Sequence, residues 1–122
     1  MKLKLDFGDI TAEIELAETS CAQMLYEATP FEAVVHRWGE EIYFETPVSF
    51  DLDETAKEAV EVGDVGYWPS GKALCLFFGP TPISGPGEIR PASAVNIVGK
   101  ISSPLSELHK VSQGAIVKVK KS

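Results

Sequence analysis

A mainly β fold, a closed eight-stranded barrel capped by two helices, is what the sequence predicts, and three observations carry that expectation. Apolar and polar residues alternate at both ends of the chain, the pattern of strands with one wet face. The run Ala73–Phe78 is apolar on both faces, which marks a central strand. Only two segments carry helical spacing with a start signal, and the connections between strands are short enough to favour antiparallel neighbours.

Leu3, Leu5 and Phe7 alternate with Lys2, Lys4 and Asp6, and after Gly8-Asp9 the alternation resumes at Ile10, Ala12, Ile14 and Leu16, which predicts a β-hairpin. Ser20 followed by Gln23 reads as a capping box, with Cys21, Met24, Leu25 and Ala28 at helical spacing until Thr29-Pro30 ends the element. Phe31 to Trp38 is strand-like, Gly39-Glu40 interrupts it, and Ile42 and Phe44 resume before Pro47. Asp51 to Val60 is acidic and reads as either a loop or a frayed helical turn. Val65–Trp68 and Ala73–Phe78 pair through the turn Pro69-Ser70-Gly71.

In that second strand Leu74, Leu76 and Phe78 face one way and Ala73, Cys75 and Phe77 the other. Gly79 to Gly87, with three prolines and three glycines, is expected to be a rigid, irregular loop. Ala94–Ile101 is a further strand. Ser103-Pro104 supplies an N-cap and first-turn proline for a helix bearing Leu105, Leu108 and Val111 and closed by Gly114, before a last strand with Ile116, Val117 and Val119. Eight strands that close on themselves leave no exposed edge.

Composition narrows the function classes. The chain has 122 residues, 44% of them hydrophobic, enough for one domain spanning 1–122 with a core of its own. No stretch approaches the roughly 20 apolar residues of a membrane span, and the N-terminus alternates instead of forming a signal-peptide core, so a cytoplasmic protein is expected. A net charge of −7 argues against nucleic acid as a partner, and no aromatics interleave with the basic residues. Nine acidic residues against the single Lys57 lie between Glu40 and Asp64, which reads as a solvated face or an acidic docking surface. Cys21 and Cys75 form no CxxC pair and no metal cluster with His36 and His109, so no metal or cofactor is expected and both thiols are read as reduced and buried. A monomer is expected.

Few residues suggest chemistry. Glu40-Glu41 could serve as an acid/base pair, but neighbouring residues at a strand break point in different directions. Cys75 sits in the apolar run Leu-Cys-Leu-Phe, a setting that suppresses thiol reactivity and favours a packing role. Gly79-Pro80-Thr81-Pro82 lacks the lysine spacing and following helix of a phosphate loop. Tyr67 and Trp68, just before a turn proline, read as cleft wall or core plug. Ser93 and Asn96 are polar in an apolar approach to a strand, placed to orient a ligand or bond the long loop.

The order β-β-α-β-β-β-β-β-α-β resembles that of cyclophilins, peptidyl-prolyl isomerases with an eight-stranded barrel plugged by a helix at each end. His36-Arg37 resembles their His-Arg pair, Phe77-Phe78 their core-strand Phe-Phe, and Val98-Gly99-Lys100-Ile101 their Phe-Gly-Lys-Val. Four longer segments, Trp38–Phe44, Gly63–Pro69, Gly71–Gly79 and Pro91–Asn96, are similar to those of archaeal and bacterial cyclophilin-like proteins of uncharacterised function. This second resemblance spans essentially the whole chain.

By this resemblance Arg37 would be the catalytic residue. An isomerase must favour the twisted X-Pro bond, whose barrier is about 18–20 kcal/mol, with a donor aimed at the imide nitrogen. Arg37 is the one donor available, the alternative being that it projects to solvent or pairs with Glu40, Glu41 or Glu45. The cyclophilin Gln-Gly-Gly-Asp run is missing, with Phe44-Glu45-Thr46-Pro47 in its region. The tryptophan and histidine expected just before Val98 are missing too, with Arg90 and Val95 near those places. Tyr67 and Trp68 stand where small residues leave room for a peptide.

The expected function is therefore a binding module whose cleft, near Arg37, Tyr43, Tyr67, Trp68, Phe78 and Ser93, takes a small molecule or an extended, proline-containing peptide without strong isomerase activity. A weak or substrate-restricted isomerase using Arg37, and a regulatory subunit docking through the acidic face, are the alternatives.

Overall fold

A computed structural model describes residues 1–122. Its strands are β1 (Lys2–Asp6), β2 (Thr11–Leu16), β3 (Phe31–Val34), β4 (His36–Arg37), β5 (Glu41–Glu45), β6 (Ala56–Lys57), β7 (Asp64–Trp68), β8 (Ala73–Phe77), β9 (Val95–Ile101) and β10 (Ile116–Lys121). One helix, α1 (Ser20–Glu27), follows the first hairpin, and a 3-10 helix, Leu105–Lys110, precedes β10.

All pairings are antiparallel, and nine strands run in the order β3-β10-β1-β2-β9-β7-β8-β5-β4, with β6 added on β9. The first and last strands of that path are consecutive pieces of chain. β3 pairs with β10 and β4 with β5, and Val35 between them exchanges backbone hydrogen bonds with Gly114 and Ala115. Counted as one interrupted strand, they bring the sheet back on itself, so eight runs of chain close the expected barrel.

Strand alternation sorts the side chains. Leu3, Leu5, Ile14, Ile42, Phe44, Val65, Tyr67, Leu74, Leu76, Val98, Val117 and Val119 point inward to one buried core, joined by Cys21, Ala22 and Leu25 of α1 and Leu108 of the 3-10 helix. The helices thus close the barrel with apolar residues. No helix is long and apolar enough to cross a membrane. A second, smaller core lies on the outer side of β8, where Ala73, Cys75 and Phe77 pack with Val60, Ile89 and Val95.

Two details differ from expectation, and a third resolves the open reading of 51–60 in favour of the loop. The first helix is capped one residue earlier: Thr19 Oγ1 accepts from the Ala22 amide at 3.2 Å, while the Gln23 side chain runs forward to Glu27 instead of back to the cap. The second helix is 3-10, not α. Leu105, Leu108 and Val111 recur every three residues, which superposes them on one face at 3.0 residues per turn but not at 3.6. The acidic stretch 51–60 is a loop containing the short β6.

The loop after β8 is folded back onto the sheet. The Glu40 amide donates to Pro80 O at 2.9 Å, Val60 and Ile89 form a bridge, and Ser84 Oγ accepts from the amides of Thr81 and Arg90. This clasp roofs part of the outer face of β5 and β8.

Candidate functional site

The outward-facing residues of β5, β7 and β8 form the floor of a cleft. β5 turns Ile42 and Phe44 inward and therefore Glu41 and Tyr43 outward; in β8 the same parity turns Cys75 outward, directly opposite Tyr43. Gly66 of β7 lies on the other side of Cys75, and a Cβ there would come within 2.6 Å of the Val95 side chain. Its missing side chain lets Val95 close the floor. The resulting cavity, of about 300 Å³, is walled by Trp38, Tyr43 and Trp68 and bordered by Pro91 and Ala92 of the long loop.

The aromatic walls are held from behind. Trp68 Nε1 donates to Ser93 Oγ at 2.6 Å, and the indole lies over Gly71, where a Cβ would meet the ring at 2.7 Å. Tyr43 meets Trp68 edge-on, with centroids 6.3 Å apart and planes at 81°, and is backed by the stacked ring of His36 at 5.1 Å. Two roughly perpendicular rings thus make a corner.

Glu41 points into this apolar box. It is only 5% exposed, makes no ion pair, and its Oε1 is buried without a hydrogen-bond partner. Burial raises its carboxyl to about 7, partly offset by the adjacent Cys75 thiol. Burial, with the Glu41 charge beside it, in turn lifts Cys75 well above the usual thiol value, so this cysteine is no nucleophile. Cys21 and Cys75 are both buried and unpaired.

Of the residues singled out from sequence, Tyr43 and Trp68 line this cleft and Ser93 braces Trp68 from behind. Arg37 and Phe78 lie together elsewhere. The Arg37 guanidinium stacks 5.2 Å from the Phe78 ring, and Phe78 meets His109 edge to face at 4.8 Å. Arg37 Nη1 donates to Val111 O at 2.8 Å and Nη2 to Gly39 O at 3.2 Å, while its Nε is buried with no partner. The guanidinium thereby ties the end of the 3-10 helix to the β4–β5 turn.

Tyr67 joins neither group. It is fully buried in the barrel core, with its hydroxyl donating to Val48 O at 2.6 Å. Adjacent strand residues face opposite ways, so Tyr67 and Trp68 could not both line one cleft.

Trp38 and Pro91 escaped the sequence reading as site residues, and Glu41 entered it only as half of an acid/base pair with Glu40. The available signal for Glu41 was its parity with Tyr43; Pro91 and Ala92, which line the same cavity, lie some fifty residues away in the chain. Glu40, its neighbour, packs instead over Gly79, so the two carboxylates do not form a pair.

Comparison with known proteins places the chain. The family model described as Cyclophilin-like matches residues 1–120. The structure is similar to the solution structure of a hypothetical protein from Archaeoglobus fulgidus, with 42% sequence identity and a TM-score of 0.83, over 100% of this chain and 95% of that one. No curated protein matches. Since the match runs through all but the last two residues, the chain belongs to the cyclophilin-like family.

Proposed function

We propose that the protein is a binding module whose ligand is a small molecule held in the cleft between Trp38, Tyr43 and Trp68. The observation that carries this reading is the Glu41 carboxylate, buried in an aromatic box with an unpartnered oxygen. An unpaired buried charge costs several kcal/mol, and a fold has no need of one for packing alone. A cavity of about 300 Å³ sits at the lower end of the roughly 300–1,000 Å³ typical of ligand sites, which favours a small molecule over an extended peptide. Two buried free cysteines fit a reducing, cytoplasmic setting.

The isomerase reading has one observation in its favour, the stacking of Arg37 on Phe78 beside His109. It ranks second because both Nη atoms of Arg37 already donate to backbone carbonyls and its Nε is shut away from solvent. A thermal-shift screen of metabolites and proline-containing peptides against the wild type and Trp68→Ala tests the choice. Small molecules that stabilise only the wild type support the cleft; stabilisation by peptides in both proteins contradicts it.

A further inference from the structure

The buried carboxylate and the aromatic walls of the cleft ask for the same kind of guest. Glu41 is the one formally charged residue among its lining, and no lysine or arginine reaches it: Lys100 is engaged by Asp64 and Glu61, and Arg90 by Glu88. Its Oε1 is an acceptor without a donor. The walls are aromatic, and aromatic faces attract cations. The two cation–aromatic contacts the protein makes internally, Arg37 on Phe78 and Lys121 on Tyr26, leave Trp38, Tyr43 and Trp68 without one.

Resting on the cleft reading above, we infer that the ligand is a small protonated amine, its ammonium donating to Glu41 Oε1 and its apolar body enclosed by Trp38, Tyr43 and Trp68. A quaternary ammonium would satisfy the rings but leave the acceptor bare. A neutral alcohol would satisfy the acceptor but not the charge. The amine does both, and it turns a buried charge that burdens the empty protein into half of an ion pair that helps the complex.

The pairing is linked to protonation. Burial holds the Glu41 carboxyl at about 7, so in neutral solution the empty cleft is a mixture of protonated and ionised forms, and the ammonium selects the ionised one. The other titratable groups around the carboxylate are Cys75 from β8 and Tyr43 from its own strand, with His36 behind Tyr43. Binding then releases a proton from Glu41 below about pH 7. Affinity rises with pH until the carboxyl is fully ionised, and levels off above that.

The test is an NMR titration of the whole chain with cyclohexylammonium and with cyclohexanol, a matched charged and neutral pair, in wild type and Glu41→Gln. At pH 8 the ammonium is expected to bind the wild-type cleft at least about tenfold more tightly than the alcohol, and Glu41→Gln to bring the two to within about threefold. Lowering the pH from 8 to 5.5 weakens the ammonium, not the alcohol, in the wild type alone. This pH arm needs no variant to fold. Equal binding of the two probes to the wild type, or an ammonium preference that survives in Glu41→Gln, overturns the amine assignment while leaving the cleft as a small-molecule site. Failure of both probes to shift the Trp38 and Trp68 signals overturns the amine assignment and the cleft reading together.

Discussion

The Trp68 indole donates its Nε1 hydrogen to Ser93 Oγ at 2.6 Å, joining the end of β7 to a loop 25 residues further on. This bond sets the angle of one cleft wall, and neither residue is needed to build the barrel. Ser93→Ala is therefore expected to cost no more than about 1 kcal/mol of stability, the value of one exposed hydrogen bond, while weakening ligand binding several-fold through a looser indole. Trp68→Ala should weaken binding by about tenfold or more while lowering stability by about 1–2 kcal/mol, because the ring is only half-buried. Isothermal titration with any cleft ligand, beside urea melts of the same samples, separates the two effects. Severe unfolding with no change in binding per folded molecule would make Trp68 a core residue.

Tyr67 gives the complementary prediction. Its hydroxyl serves only the inner barrel bond to Val48 O, so Tyr67→Phe should cost about 1–2 kcal/mol and leave cleft affinity unchanged. A change in ligand affinity with little loss of stability would contradict its placement.

For Arg37 the expected phenotype is structural. Arg37→Ala removes the donors to Val111 O and Gly39 O and the cover of Phe78, and about 2–3 kcal/mol of stability should go with them. Arg37→Lys should recover only part, since one ammonium cannot span both carbonyls as the guanidinium fork does. Prolyl isomerisation of a test peptide should be little accelerated by the wild type. A robust rate that collapses in Arg37→Ala, in protein shown to remain folded, would put isomerase first.

Glu41 makes stability depend on pH in an unusual direction. Its folded carboxyl sits near 7, above the ordinary 4.5, so the folded protein holds this proton more tightly than the unfolded chain. The stabilising contribution is complete below about pH 4.5, is lost as pH rises to about 7, and stays lost above. The loss is ~3 kcal/mol, from 1.36 kcal/mol per pKa unit. Glu41→Gln abolishes this dependence and should be more stable than the wild type at pH 8, by up to that amount. Denaturant melts of both proteins between pH 4.5 and 8.5 measure the difference; parallel profiles would show that Glu41 titrates normally.

Periodicity made the barrel legible. Alternation in β1, β2 and β8 placed inner and outer residues correctly, because strand parity is local and buried faces enforce it. The period-three spacing of Leu105, Leu108 and Val111 was also present but reads as an α-helix until the 3-10 geometry is seen. The site was less legible. Tyr43, Trp68 and Ser93 announced themselves as aromatic or polar residues in unexpected places, and parity alone could have separated Tyr67 from Trp68. The carbonyls that occupy Arg37 come from Val111 and Gly39, one of them 74 residues away, and no local pattern foretells them. Glu41 looked like half of an acid/base pair in an acidic run; its burial, beside Pro91 and Ala92 of a loop distant in sequence, is visible only in the structure.

The chain has two tryptophans, and both stand at the cleft. Their two indole Nε1–H signals in a nitrogen-correlated NMR spectrum therefore report on the site without mutation. Titration with a stabilising small molecule is predicted to move both indole signals and the amides of Glu41, Tyr43 and Cys75, leaving those of Arg37, Phe78 and His109 in place. Shifts centred on Arg37, Phe78 and His109, with both indoles still, would contradict the cleft as the site of function.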